Sequence, residues 1–195
     1  MTELKNIQKS FGENAVFKDF SLKLTEGSKN IVKGASGCGK TTLLRIISGL
    51  EAIDGGEVMR DERLAYMFQE PRLLPWKNAL DNIRAVLKKE DFALADKYLS
   101  AVGLADAEKK FPHELSGGMA QRVAFARFLS FTEATDADLL LLDEPFSALD
   151  RETAAKMLEL LIEFSVCKTL VLVTHDDGDI AFDDNVIELS SNIAK

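Results

Sequence analysis

Cysteine is scarce. Cys38 and Cys167 are the only two in the chain, too few for a disulfide framework or a cysteine-built metal cluster. Long apolar runs are missing as well: no stretch approaches the ~18 uninterrupted apolar residues of a membrane span, so the chain is not expected to cross a bilayer by itself. There is no basic excess. Lys and Arg number 24 against 32 Asp and Glu, a formal charge of 24 − 32 = −8, which argues against broad nucleic-acid binding and against a nucleic-acid partner. The opening Met1-Thr2-Glu3-Leu4-Lys5-Asn6 lacks the apolar centre of a signal peptide, so a cytoplasmic location is expected. Only four prolines interrupt the chain. What remains is a 195-residue sequence, 46% hydrophobic and 29% charged, the balance of one globular domain able to bury a core.

The pattern along the chain alternates between strand and helix signals. Phe17–Leu24 alternates apolar and polar residues as a half-exposed strand does. A short strand at Asn30–Val32 leads into a Gly-rich stretch, and Lys40–Ser48 has helical spacing stopped by Gly49. Glu57–Phe68 reads as strand, turn, strand, and Ala79–Lys88 and Phe92–Val102 read as amphipathic helices. The continuous apolar runs Leu139–Leu142 and Thr169–Val173 are those of parallel strands covered on both faces, with a helix at Thr153–Ser165 between them. Strand, helix, strand with a right-handed crossover means α/β. The expected layout is one domain over 1–195: a core from 1–71 and 130–195, and a helical insert at 72–129.

Two segments point to a bound phosphate. Gly34-Ala35-Ser36-Gly37-Cys38-Gly39-Lys40-Thr41 follows a strand and opens a helix. Its glycines let consecutive N–H groups face one anion, beside the positive end of the helix. Lys40 supplies a point charge for β- and γ-phosphates, and the Thr41 hydroxyl is placed to ligate Mg²⁺. A lysine at a helix N-terminus opposes the macrodipole, an arrangement that makes sense with a phosphate between them. Asp143 and Glu144 end the Leu139–Leu142 run, where open α/β sheets bind ligands. Asp143 suits the Mg²⁺ shell, and Glu144 suits the orienting or deprotonation of an attacking water. Cys38 lies among groups that favour a thiolate, or is simply a small residue tolerated there.

Leu115-Ser116-Gly117-Gly118-Met119-Ala120-Gln121-Arg122 is more selective. It reads as a second anion-binding helix N-terminus, with Ser116 as cap and no acid in the first turn. It resembles the signature motif of ABC-type ATPases, and the resemblance covers nearly the whole chain. The implied fold is a P-loop NTPase (RecA-like) parallel-sheet core, with an N-terminal antiparallel β-subdomain and an inserted α-helical subdomain. The implied activity is ATP hydrolysis, with ATP and Mg²⁺ held by Gly34, Ser36, Gly37, Cys38, Gly39, Lys40, Thr41 and Thr42. Gln69 matches the glutamine loop that contacts Mg²⁺ and water. Ser147-Ala148-Leu149-Asp150 matches the loop across which two subunits communicate, and His175 matches the switch histidine at the γ-phosphate. Phe11 resembles the N-terminal aromatic that stacks on adenine, or else is a core residue. Ser116, Gly117 and Gly118 would face ATP on a second copy, giving a head-to-tail homodimer around two ATP molecules that opens after hydrolysis.

Within this family, Phe68-Gln69-Glu70-Pro71-Arg72-Leu73-Leu74-Pro75-Trp76 looks like the importers of nitrate, sulfonates, taurine and thiamine precursors. That resemblance implies separate transmembrane permease subunits, an extracytoplasmic substrate-binding protein, and a place on the inner face of the cell membrane. Leu73–Trp76 would meet the permease, or pack within the helical subdomain. A soluble ABC-type ATPase of DNA repair, chromosome organisation or translation is the other class, and Thr42–Leu115 is too short for the long coiled coils of the first two. Four departures stand out. Asn30 and Lys33 sit where the family has apolar residues, so that strand is expected to be less buried. Glu51–Leu64 is shorter than usual, Ser130–Asp138 reads as a long acidic link, and Asp179 stands where Glu is common.

Overall fold

The structure, a computed structural model, describes residues 1–174 and 185–189. The chain forms two compact units. One comprises Met1–Leu64, Asp138–Glu144 and the described residues from Cys167 onward; the other comprises Ala65–Ala137 and Pro145–Val166.

In the first unit, β1 (Thr2–Phe11) and β2 (Asn14–Leu24) form an antiparallel hairpin, and β4 (Gly55–Met59) pairs with the other edge of β1. Leu4 and Ile7 are both buried although three positions apart, a spacing that a regular strand would send to opposite faces. A bulge resolves it. The register slips between Leu4 and Ile7, and Asn6 takes a left-handed φ of 49°. Its N–H donates to Ser21 Oγ and its Nδ2 to Asp19 Oδ1.

The same unit contains four parallel strands in the order β6 (Leu139–Asp143), β7 (Thr169–Val173), β3 (Lys29–Gly34) and β8 (Asn185–Leu189). Every residue of β6 and β7 is buried, and each buried leucine contributes roughly 1.5–3 kcal/mol. Helix α1 (Lys40–Ser48) follows β3 and buries Leu43, Leu44, Ile46 and Ile47. The expectation that β3 is less buried holds at Lys33, which is half-buried, and is corrected at the centre of the strand. Asn30, Ile31 and Val32 are all buried, because Asn30 Nδ2 donates to Leu170 O at 3.1 Å and to Ser28 Oγ at 2.9 Å. A polar residue thus joins the core with its hydrogen bonds made.

The second unit is mainly helical: α2 (Ala79–Arg84), α3 (Phe92–Ala101), α4 (Gly117–Thr135) and α5 (Arg151–Phe164), with β5 (Leu64–Met67) leading into it. Helix α2 stops at Arg84, short of the expected Lys88. The next N–H groups tighten to three-residue turns, Val86 to Ile83 O and Leu87 to Arg84 O. Residues 130–135, expected in an acidic link, are the closing turns of α4. Ser130 Oγ donates to Leu94 O, Lys97 and the Tyr98 hydroxyl hold Glu133, and Asp136 ends the helix at φ 49°. Burial and the bond to Glu133 push the Tyr98 pKa above its ordinary value. Edge-on packing of Tyr98 against Phe164 and of Phe125 against Phe146 completes this core.

Asn30→Leu keeps the branching and heavy-atom count of the side chain and removes the hydrogen bonds. It is expected to lower stability by about 1–3 kcal/mol, read as a lower midpoint in urea denaturation.

Candidate phosphate-binding site

The loop between β3 and α1 closes on its own lysine. Lys40 is 5% exposed, and its Nζ donates to Gly34 O at 2.7 Å and Ala35 O at 3.0 Å. The Cys38 N–H returns to Ala35 O at 3.2 Å. Two glycines permit this path. A Cβ on Gly34 would lie 2.6 Å from both Cys38 Sγ and Leu189 O, and one on Gly39, at φ 104°, would lie 2.5 Å from Val16 Cγ1. Ser36 and Gly37 face solvent, and Thr41 and Thr42 are half-buried. No acidic residue occupies the first turn of α1, so the helix N–H groups and the lysine add their positive charge at one end of the loop.

Cys38 reads in sequence either as a thiolate-favouring residue or as a small residue tolerated in the loop. Its side chain is buried, and its sulfur occupies the space a Cβ on Gly34 would need. The bland alternative fits: the loop takes a small residue there. Cys167 is the exposed thiol.

Asp143 ends β6 as a buried carboxylate, and half-buried Glu144 follows at a left-handed φ of 46°. The Glu144 N–H donates to Val173 O at 3.0 Å, anchoring the turn to the end of β7. Since β6, β7 and β3 are consecutive parallel neighbours, Asp143 and the loop leave the same sheet edge about 10 Å apart, two strand spacings. His175, expected after β7, lies outside the described residues.

Phe11 closes β1 and is 48% exposed, which removes the core reading. Lys9 Nζ lies 4.8 Å from its ring centroid and is held by Glu51 at 2.6 Å and Ala52 O at 2.8 Å. The bond to Glu51 keeps the Lys9 pKa above its ordinary value.

The remaining sequence-derived residues belong to the second unit. Gln69 is exposed just after β5. Ser116 caps α4, its Oγ accepting from Met119 N at 3.2 Å, and no acid occupies that first turn. Gly118 packs closely on the Ser147–Asp150 loop: a Cβ there would sit 3.4 Å from Ala148 O and Leu149 Cδ2. Asp150 caps α5 by accepting from Thr153 N and Oγ1, which lowers its carboxyl pKa. Sequence reasoning passed over Gln121 and Arg127. Both put polar heads on the backbone of Gln69–Arg72, and burial lowers the Arg127 pKa. Their signal is a polar residue within the buried stretch of a helix that includes Val123, Ala124 and Phe125.

Residues 17–147 match the family described as ABC transporter. The chain is 45% identical over 192 residues to the aliphatic sulfonates import ATP-binding protein SsuB 2 of Pseudomonas syringae pv. syringae (strain B728a), covering 96% of this chain and 69% of that protein. The corresponding protein of Zymomonas mobilis subsp. mobilis is 40% identical over 198 residues, covering 96% and 81%. Among solved structures, the dimeric post-hydrolysis state of the ATP-binding cassette MJ0796 bound to ADP and Pi superposes with a TM-score of 0.87 at 30% identity, covering 98% of this chain and 97% of that one.

Two outcomes are expected. Gly34→Ala loses at least about ten-fold in nucleotide affinity, equivalent to about 1.4 kcal/mol, by titration with a fluorescent nucleotide. N-ethylmaleimide modifies Cys167 in the native chain and leaves Cys38 unlabelled until unfolding, read by mass spectrometry of the peptides.

Proposed function

The chain belongs to the ABC transporter family, and on that premise we propose that it is the ATPase subunit of an importer whose membrane path is built by separate chains. As an ABC ATPase it binds and hydrolyses ATP. The observation that carries the two-copy reading is the α4 N-terminus: a serine cap, two glycines and no acid in the first turn, a helix end of the kind that binds anions. Two copies arranged head to tail would give each ATP one loop and one such helix end. The similarity to dimeric cassettes supports the pairing of two copies.

In this reading Lys40 and the N–H groups of Gly37–Thr42 hold the β- and γ-phosphates, with Gly34 and Ser36 shaping the loop. Phe11, half-exposed at the end of β1, offers its ring to adenine. Glu144 accepts a proton from the attacking water, and His175 contacts the γ-phosphate. Ser116, Gly117 and Gly118 meet the γ-phosphate bound to the other copy, and Asp150 keeps the Ser147–Asp150 loop at that junction by capping α5.

The Thr41 hydroxyl and the Asp143 carboxylate, both in the first unit, are hard oxygen donors that suit Mg²⁺, and the Gln69 amide oxygen is the donor that the resemblance adds. Among the described residues no three His, Cys, Asp or Glu side chains form a metal cluster, so phosphate oxygens and water would complete the shell. Bound Mg²⁺ would neutralise charge shared by the β- and γ-phosphates.

Among the described residues no helix is long and apolar enough to cross a membrane, and the reading assigns that task to permease subunits. Trp76, 70% exposed, supports a docking role for Leu73–Trp76. Buried Asn82 fixes that loop, accepting from Leu74 N and donating to Leu74 O and Lys77 O. The sulfonate-import names of the relatives point to small organic anions as cargo, delivered by an extracytoplasmic binding protein. The chain itself would sit at the cytoplasmic face of the membrane.

Glu144→Gln is expected to retain ATP binding while turnover falls on the order of 10²–10⁴-fold, and to accumulate an ATP-bound dimer on size-exclusion chromatography; turnover at the wild-type rate would remove Glu144 from the chemistry. Ser116→Glu places a carboxylate in the α4 anion position. Steady-state ATPase should vanish while a single copy still binds nucleotide. Undiminished hydrolysis would overturn the head-to-tail arrangement.

A further inference from the structure

The segment leaving Gln69 is a tight loop whose conformation needs outside support. Arg72 adopts φ 46°, a left-handed backbone that side chains other than glycine disfavour. Its guanidinium carbon lies 3.9 Å from the Phe68 ring centroid, closing the loop across Gln69. Two side chains of α4 supply the support. Gln121, 1% exposed, donates from Nε2 to Gln69 O at 3.3 Å and to Pro145 O at 2.8 Å. Arg127 donates from Nη2 to Pro71 O at 2.6 Å and from Nη1 to Arg72 O at 3.0 Å.

Gln121 and Arg127 are 127 − 121 = 6 residues apart, about 9 Å along a helix axis, and between them they hold both ends of the Gln69–Arg72 loop. The planar fork of arginine suits two adjacent carbonyls, which a lysine ammonium cannot engage with the same fixed geometry.

We propose that Gln121 and Arg127 are positioning residues for ATP hydrolysis: from the signature helix they set the backbone path of Gln69–Arg72, and so the reach of the Gln69 amide toward Mg²⁺ and water. This rests on the assignment of Gln69 above. The consequence is a mechanical link within one helix. Its N-terminus carries Ser116, which meets the ATP of the other copy, and its later turns hold Gln69. The Gln121 amide also grips Pro145, the residue after Glu144, so one side chain serves the segments carrying the metal-directed amide and following the proton acceptor. A displacement of about 1 Å at such groups is enough to lower a rate substantially.

The test is a double-mutant cycle on the full chain, using Arg127→Lys, Gln69→Ala and both together. Thermal unfolding by circular dichroism checks that each variant folds. Arg127→Lys is expected to lower kcat about ten-fold and to raise the Mg²⁺ concentration at half-maximal rate, with affinity for ATP in EDTA unchanged. Added to Gln69→Ala, it should cost less than about two-fold more, because it acts through Gln69. In the nucleotide-free, metal-free chain, amide hydrogen exchange of a 68–76 peptide should accelerate about ten-fold. Gln121→Met, which keeps length and removes the donor, should repeat the pattern if Arg127→Lys does not fold. Fully multiplicative losses, unchanged exchange, or a wild-type Mg²⁺ requirement in the variant used would overturn the proposal. A Gln69→Ala chain with wild-type kcat would instead overturn the assignment of Gln69 itself.

Discussion

Parallel pairing of β6, β7, β3 and β8 is the constraint on which the phosphate site depends. Strands that run the same way end at the same edge, and a sheet buried on both faces has no freedom to tilt one strand out of register. The chain therefore delivers the loop after Gly34 and the carboxylate of Asp143 to one edge by backbone geometry alone. The fully apolar interiors of β6 and β7 hold the arrangement.

An acidic chain presents two positive helix ends. The charge at α1 is local, made from N–H groups and one lysine whose ammonium the loop's own carbonyls hold. At α4 no lysine is needed. A serine cap and the absence of acids in the first turn leave the helix end unneutralised. The net charge of −8 and an anionic substrate are compatible because the helix-end effect is confined to the first turn and salt screens exposed charges beyond about 8–10 Å.

Left-handed backbone at residues other than glycine marks places where surrounding contacts override local preference. Glu144 and Arg72 are two of them. Glu144 is held by its N–H bond to β7, and Arg72 by the guanidinium of Arg127 and its own stacking on Phe68. Asn6 is a third, and there the effect is architectural: the bulge lets Leu4 and Ile7 share a buried face.

The sequence by itself determined the parallel strands, the α1 loop, the carboxylate pair and the capped signature helix. Each is written in contiguous residues whose local physics suffices: apolar runs, glycines before a lysine, a serine ahead of two glycines. Phe11 was legible as an aromatic but not as exposed, since burial is a property of the neighbours. Tertiary structure alone decided four matters. Asn30 is a core residue because Leu170 and Ser28 lie within reach of its amide. Residues 130–135 are helical because Leu94, Lys97 and Tyr98 of α3 receive them. Cys38 is a packing residue because its sulfur fills the gap beside Gly34. Gln121 and Arg127 bear on Gln69–Arg72 across separations of 121 − 69 = 52 and 127 − 72 = 55 residues. No local pattern records these partners, because a hydrogen bond between distant segments exists only once packing has brought them together.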